Sequence, residues 1–290
     1  MKRLIIPFSL VLLILGACKK KEEAPEPAPP AAPVVATVAP APSTQPAGGA
    51  LPATANLPAN APIPAQALQV WFSADAGVTT GTGDTVTKWT SQAGNGVIAE
   101  PPADQPRLQK TGIGGHPAIE FNGKDQMLRV NVDINPAKMP TMTVFAVFSS
   151  KTASTEPLRK LYGHDNGGYD RAAGLDSRGG AEKNYCMFLG DQGTVGYFKL
   201  EANQSYLTTD VFAPEWFSGW VNGKQALNKR QAKHGEGLPL LYLGGTGTVY
   251  QEYWNGDLAE FILYNRELPD AERTQVEQYL AKKYGIVLAP

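Results

Sequence analysis

Short alternating runs of apolar and polar residues fill most of the chain beyond residue 67. Thr85-Val86-Thr87-Lys88-Trp89 and Ala118-Ile119-Glu120-Phe121-Asn122 alternate with the two-residue period of a half-buried strand. Residues 141–149 (TMTVFAVFS) are apolar at both parities, which predicts a strand covered on both faces. Further runs predict strands over 68–72, 158–162, 185–189, 195–200, 205–212, 238–243 and 258–265. Asn222-Gly223 separates 217–221 from 224–227 and predicts a tight hairpin, because both turn positions need positive φ. One helix is expected, and it is last. Pro269-Asp270 opens it, Val276, Leu280 and Tyr284 form a stripe at i, i+4, i+8, and Gly285 stops it. Many short strands, glycine-rich turns and a single helix predict an all-β fold, a two-sheet antiparallel sandwich or jelly roll with one short C-terminal helix.

The N-terminal part follows a different pattern. Lys2 and Arg3 precede an apolar run from Leu4 to Leu15, shaped like a secretory signal and too short to span a bilayer. Its end, Leu15-Gly16-Ala17-Cys18, resembles a bacterial lipobox. That resemblance implies cleavage before Cys18 and acylation of its thiol and new amino group, and two or more acyl chains anchor stably where one is marginal. The expected partner is therefore a lipid bilayer, reached through acylated Cys18. The expected location is the extracytoplasmic side of a bacterial envelope. By resemblance to enterobacterial sorting signals, Lys19 in place of an aspartate implies the outer membrane or cell surface. Residues 19–66 hold 12 Pro and 14 Ala among 48 residues and no aromatic. Such a stretch buries too little to offset chain entropy and is expected to be an extended tether reaching at most ~150 Å. The expected organisation is signal peptide 1–17, lipidated Cys18 with a disordered tether to 66, and a folded domain over 67–290.

All five tryptophans lie in that domain, and over the whole chain 26 Lys and Arg nearly balance 27 Asp and Glu. No basic stripe supports nucleic-acid binding. Cys186, the one cysteine besides Cys18, sits in the apolar run 185–189 and reads as a buried, inert thiol.

Several segments together resemble a known group. Val70-Trp71-Phe72-Ser73-Ala74-Asp75, then Val86-Thr87-Lys88-Trp89, then Ser91-Gln92-Ala93-Gly94-Asn95-Gly96, precede Gly115-His116-Pro117-Ala118-Ile119-Glu120-Phe121-Asn122-Gly123. The chain closes on Asn255-Gly256-Asp257-Leu258-Ala259-Glu260-Phe261-Ile262-Leu263-Tyr264 and the helical segment 268–286. This order resembles the laminin-G-like, concanavalin A-like jelly rolls of bacterial surface proteins. The resemblance implies two curved antiparallel sheets with a short helix packed against them. The residues themselves agree: Trp71 and Trp89, large apolar side chains on early strands, read as core, and Asp257 and Glu260, short acids near a strand start, read as structural groups.

Such folds host glycosidases, lyases and sugar binders, so fold alone does not choose. The Glu-x-Asp-x-x-Glu and Glu-x-Asp-x-Glu strings of laminarinase-type relatives are absent, as is the full lyase motif set. Asp257 and Glu260, three apart, are expected to face opposite sides of a strand. The expectation is a non-catalytic domain that recognises a carbohydrate or an envelope partner. A polysaccharide-active enzyme with unrecognised carboxylates is the alternative, and a structural subunit of an envelope assembly is a third. Sugar binding needs an exposed ring beside polar groups, which nominates Tyr169 with Asp170 and Arg171, and separately Trp216, and Trp254 with Tyr250 and Tyr253. Within His164–Arg171, Asp165, Asn166 and Asp170 offer the hard oxygen ligands calcium prefers; a plain Asx-rich turn is the competing reading. No other cofactor is expected.

Overall fold

The computed structural model describes residues 55–58, 60–167, 171–180, 182–247 and 249–290. The signal-like segment, Cys18 and the tether up to residue 54 lie outside the described residues. The strands are β1 (Leu68–Ser73), β2 (Val78–Thr80), β3 (Val86–Thr90), β4 (Ile98–Glu100), β5 (Arg107–Gln109), β6 (Ala118–Asn122), β7 (Leu128–Val130), β8 (Met142–Ser150) and β9 (Arg159–Gly163). They continue as β10 (Arg171–Leu175), β11 (Tyr185–Leu189), β12 (Thr194–Phe198), β13 (Ser205–Phe212), β14 (Trp216–Val221), β15 (Lys224–Gln231), β16 (Leu241–Leu243) and β17 (Asn255–Tyr264), and the helix α1 follows at Asp270–Tyr284.

The first sheet has the order β15-β14-β13-β8-β17-β6-β5, with β1 also paired to β17. The second has the order β12-β11-β10-β9-β16-β7-β4-β3-β2. Every strand pairing within them is antiparallel. The two-sheet antiparallel fold with one C-terminal helix is as the pattern predicts. The hairpin turn also forms as expected, with Asn222 and Gly223 at φ 48° and 77°.

Two apolar layers build this molecule. The main core lies between the sheets, where Phe148 stacks on Tyr185 (ring centroids 5.2 Å apart) and Phe261 meets Tyr162 edge-on at 5.4 Å. Trp89 is fully buried there, while Trp71 is half-buried. The second layer lies between the outer face of the first sheet and α1. The two-parity run of β8 follows from this. Val144, Ala146 and Phe148 enter the inter-sheet core, and Phe145 and Val147 enter the helix layer. Val276, Leu280 and Tyr284 of α1 are buried against them.

Glu260 is a fully buried carboxylate inside the helix layer. A bulge in β17 between Leu258 and Glu260 turns Glu260 toward α1. Its carboxylate, fully buried, accepts hydrogen bonds from Trp71 Nε1 (2.6 Å), Tyr284 Oη (2.7 Å) and Lys283 Nζ (2.7 Å). Asp257 accepts a bond from Ser149 Oγ at 3.0 Å, on the same outer face as Val147 and Phe145. The bulge therefore corrects the expected opposition: Asp257 and Glu260 share the outer face of the first sheet.

The tether boundary also moves. Ile63 and Ala55 are buried in the helix layer. The backbone of this segment accepts bonds from Tyr264 Oη at Pro64 (3.0 Å) and Gln275 Nε2 at Pro62 (3.1 Å), and Asn56 N donates to Ala93 O at 3.0 Å. The described residues from 55 to 66 thus belong to the folded domain rather than to a free tether. Burying an isoleucine side chain contributes about 2 kcal/mol. A fragment starting at residue 67 is expected to be less stable than one starting at residue 55 by at least that order. Urea denaturation of the two fragments measures the difference, and equal midpoints would show that the segment adds nothing.

A buried acid in the inter-sheet core carries a pH dependence. Asp210 accepts hydrogen bonds from Tyr162 Oη (2.7 Å) and Tyr197 Oη (2.9 Å). Burial pushes its pKa up to about 7, and the tyrosine bonds only partly oppose that. A raised folded-state pKa means the folded protein holds the proton more tightly. The Asp210 contribution is then fully present below the unfolded value of about 3.9, and is lost as pH rises through about 7. Asp210→Asn does not titrate, so its stability relative to wild type is expected to rise across this window and level off above it. Parallel denaturation curves at five pH values check this; a constant difference would refute it.

Candidate active site

The outer face of the second sheet carries a polar cavity. Strands β9, β10 and β11 lie side by side here. Outward positions on β10 are small, Ala172 and Gly174. At Gly174 a Cβ would come within 2.0 Å of Arg159 O, so only glycine lets the two strands close up. The 3₁₀ turn Ser177–Gly179 folds back over the same face, and a Cβ at Gly179 would meet Cys186 Sγ at 2.2 Å. Cys186 is fully buried beneath that turn, and burial pushes its thiol up to about 12. This is an inert thiol.

The cavity encloses about 180 Å³ and is lined by Lys160, Asp165, Arg178, Phe188, Tyr250 and Glu252, with Gly167 and Ala172. At its base Asp176 is fully buried. It takes Lys160 Nζ at 2.7 Å, Arg178 Nη2 at 2.6 Å and Arg178 Nε at 2.9 Å. Burial alone would raise the Asp176 pKa; Arg178 and Lys160 outweigh it and hold the carboxyl well below its ordinary range. Glu252 is the opposite case. Its pKa is raised, first by burial and then by the charges of Asp165 and Asp176, against the attraction of Lys160. Its Oε2 is buried with no hydrogen-bond partner. Neighbouring carboxylates whose surroundings push their proton affinities apart can divide acid and base roles. Asp165, half-buried, is a further carboxylate on the cavity lining. The Arg178 side chain is 53% exposed, and Tyr250 is exposed too, so a cation and an aromatic ring frame the mouth.

A second carboxylate pair lies on the first sheet. Asp257 on β17 and Glu120 on β6 are direct cross-strand partners, which places their Cβ atoms ~5 Å apart. Glu120 pairs with Lys151 and accepts from Gln109 Nε2, and burial raises the Asp257 pKa against its Ser149 bond and Lys151.

The residues nominated from sequence distribute as follows. Tyr169 and Asp170 lie outside the described residues. Arg171 is fully buried, donating to the carbonyls of Ile134 (3.1 Å), Met139 (2.7 Å) and Pro140 (2.9 Å). It fastens the loop before β8 and is not a ligand group. Trp254 is fully buried with its indole on Ser149 O at 3.1 Å, so its ring is no platform. Trp216 is half-buried with Lys229 Nζ 4.9 Å from its ring centroid. Asp165 Oδ1 accepts from Gly167 N at 2.8 Å, an Asx-turn bond, and Asn166 Nδ2 donates to Glu236 O at 3.3 Å. Among the described residues no group of three or more His, Cys, Asp or Glu is arranged to hold a metal ion. Sequence reasoning reached the cavity through Asp165 and Tyr250 but missed Lys160, Asp176, Arg178 and Glu252. They are scattered between residues 160 and 252 and share no motif.

No protein-family model matches the chain, and no curated protein does. Solved structures are similar to it. Trypanosoma rangeli sialidase with the inhibitor DANA is 18% identical with a TM-score of 0.54, over 79% of this chain and 35% of that one. Domain 4 of a GH43 extracellular arabinanase from Geobacillus stearothermophilus, in complex with arabinotriose, is 14% identical with a TM-score of 0.50, over 73% of this chain and 98% of that one. A GH54 α-L-arabinofuranosidase is 11% identical with a TM-score of 0.53, over 70% of this chain and 52% of that one. The chain thus spans about a third of the sialidase and half of the arabinofuranosidase. At these identities the likeness is one of β-sandwich fold. Each neighbour is a glycosidase or a domain of one, and this corrects the expectation of a non-catalytic recognition domain.

Proposed function

We propose that the domain is a polysaccharide-active enzyme working at the Glu252 cavity. Glu252 gives its proton to the departing glycosidic oxygen as the bond to the anomeric carbon breaks. Asp165 takes a proton from the water whose oxygen bonds to that carbon. Arg178 and Tyr250 at the mouth hold the sugar by hydroxyl hydrogen bonds and ring contact. Asp176, locked between two cations, orients Lys160 and Arg178. The observation that carries this reading is the pairing of a raised pKa with an unpartnered, buried Glu252 Oε2 in a cavity. The glycosidase neighbours support the substrate class. A second reading places the chemistry at Asp257 and Glu120, two carboxylates paired across neighbouring strands, as a two-carboxylate mechanism needs.

We also propose concanavalin A-like jelly-roll connectivity of the laminin-G kind for this sandwich. The quoted order of segments supports that. The lipobox-like Leu15-Gly16-Ala17-Cys18 supports export and anchoring through acylated Cys18, which would bring the enzyme to extracellular glycans.

Release of reducing ends from arabinan, arabinotriose, sialyllactose and mixed plant polysaccharides tests the activity. Glu252→Gln and Asp165→Asn are each expected to lose about 100-fold or more in kcat, with unchanged melting. Glu120→Gln and Asp257→Asn are expected to retain activity. The reverse pattern would move the site to the first sheet, and a wild type that cleaves none of these would overturn the enzyme reading.

A further inference from the structure

We infer that the groove between β14, β15 and the start of α1 is a second glycan-binding site, for a neutral oligosaccharide chain. Its volume is about 560 Å³, three times that of the Glu252 cavity at about 180 Å³, and it lies on the other sheet. Its wall follows from strand alternation. Phe217 of β14 points into the core, while Ser218 and Trp220 line the groove. Trp216 shares that parity, roughly 13 Å from Trp220 along an extended strand. The Trp220 ring is half-buried, with the Arg273 guanidinium 4.6 Å from its centroid.

The polar groups suit a sugar. Gln225 and Asn228, both exposed on β15, supply amide donors and acceptors. Arg273 Nη1 bonds Glu277 Oε2 at 2.6 Å and Nη2 reaches Asp270 Oδ1 at 3.4 Å, but Nε is buried with no partner. Lys229 and Arg273 are matched by Glu267 and Asp270. The formal charges cancel, and an anion entering near Arg273 would face two carboxylates. An aromatic wall with amides and balanced charges selects a neutral, hydroxyl-rich chain over an acidic one. The glycan class rests on the proposed activity, whereas the groove is separate from the catalytic cavity. Its role would be to hold polymer while Glu252 acts.

Affinity electrophoresis in gels carrying arabinan, xylan or mixed-linkage β-glucan, with polygalacturonate as the acidic comparison, tests this on the 55–290 domain. At least one neutral gel is expected to retard wild type and Glu252→Gln equally. Trp220→Ala and the double variant Gln225→Ala/Asn228→Ala are expected to lose about 10-fold or more in apparent affinity. The double variant replaces only exposed side chains and decides the matter where Trp220→Ala melts early. Retardation unchanged in the double variant and in folded Trp220→Ala overturns the site, as does no retardation of wild type in any neutral gel. Retardation confined to polygalacturonate overturns the neutral class. Loss of retardation in Glu252→Gln alone assigns binding to the catalytic cavity and also overturns it. Hydrolysis is read separately, so retardation without cleavage would sink the enzyme reading while leaving this one standing.

Discussion

The Glu260 carboxylate under α1 is the interaction on which the arrangement depends. It is fully buried, yet it takes hydrogen bonds from Trp71 on β1 and from Lys283 and Tyr284 on the helix. A buried charge with this many partners is tolerable, whereas the same charge with one partner removed is strongly destabilising. Lys283 is held protonated beyond its ordinary range: burial opposes the charge, and Glu260 and Asp75 outweigh it. The helix is therefore docked by a specific charge pair as well as by its apolar stripe. Docking it there covers the outer face of the first sheet at β1, β8, β13 and β17. The second sheet keeps a free face, and the cavity with Glu252 forms on it.

That cavity uses buried charge differently. Around Glu260 every strong donor is spoken for. Around Asp176 the two cations are consumed by one carboxylate, and Glu252 is left with an oxygen that bonds nothing. An uncompensated polar atom costs free energy in a folded protein, and such sites recur where a ligand completes the set. The small outward residues of β10 and the glycine at 179 make room for that imbalance. Had Gly174 or Gly179 carried a side chain, the strands or the overlying turn would have had to move.

Much of the scaffold was legible in the sequence, for physical reasons. Residues 118–122, whose alternation predicts a strand, and the further candidates 185–189 and 205–212 are strands over the expected ranges, and α1 begins and ends at the expected residues. The two-parity run of β8 announced a sheet covered on both sides. Strands of three residues, such as β4, β5 and β7, are too short for a period to register. β10 was missed because its small residues serve close packing rather than burial of large side chains. The segment 55–66 was read as tether from its composition, but Ile63 finds a place under the helix layer that composition cannot reveal. The site was the least legible part. Its groups come from β9, the loop after β10 and the loop before β17, and only the fold brings them together. Trp254 and Arg171 looked like ligand groups by type, and the structure spends both on internal hydrogen bonds.

The most direct measurement is the titration of Glu252 by side-chain carbonyl NMR in the 55–290 domain, with Glu252→Gln to assign the resonance. An acid prepared in this cavity predicts a midpoint clearly above that of an ordinary glutamate, falling toward it in Asp165→Asn as one repelling charge is removed. A midpoint at or below the ordinary value, unmoved by that substitution, would contradict it.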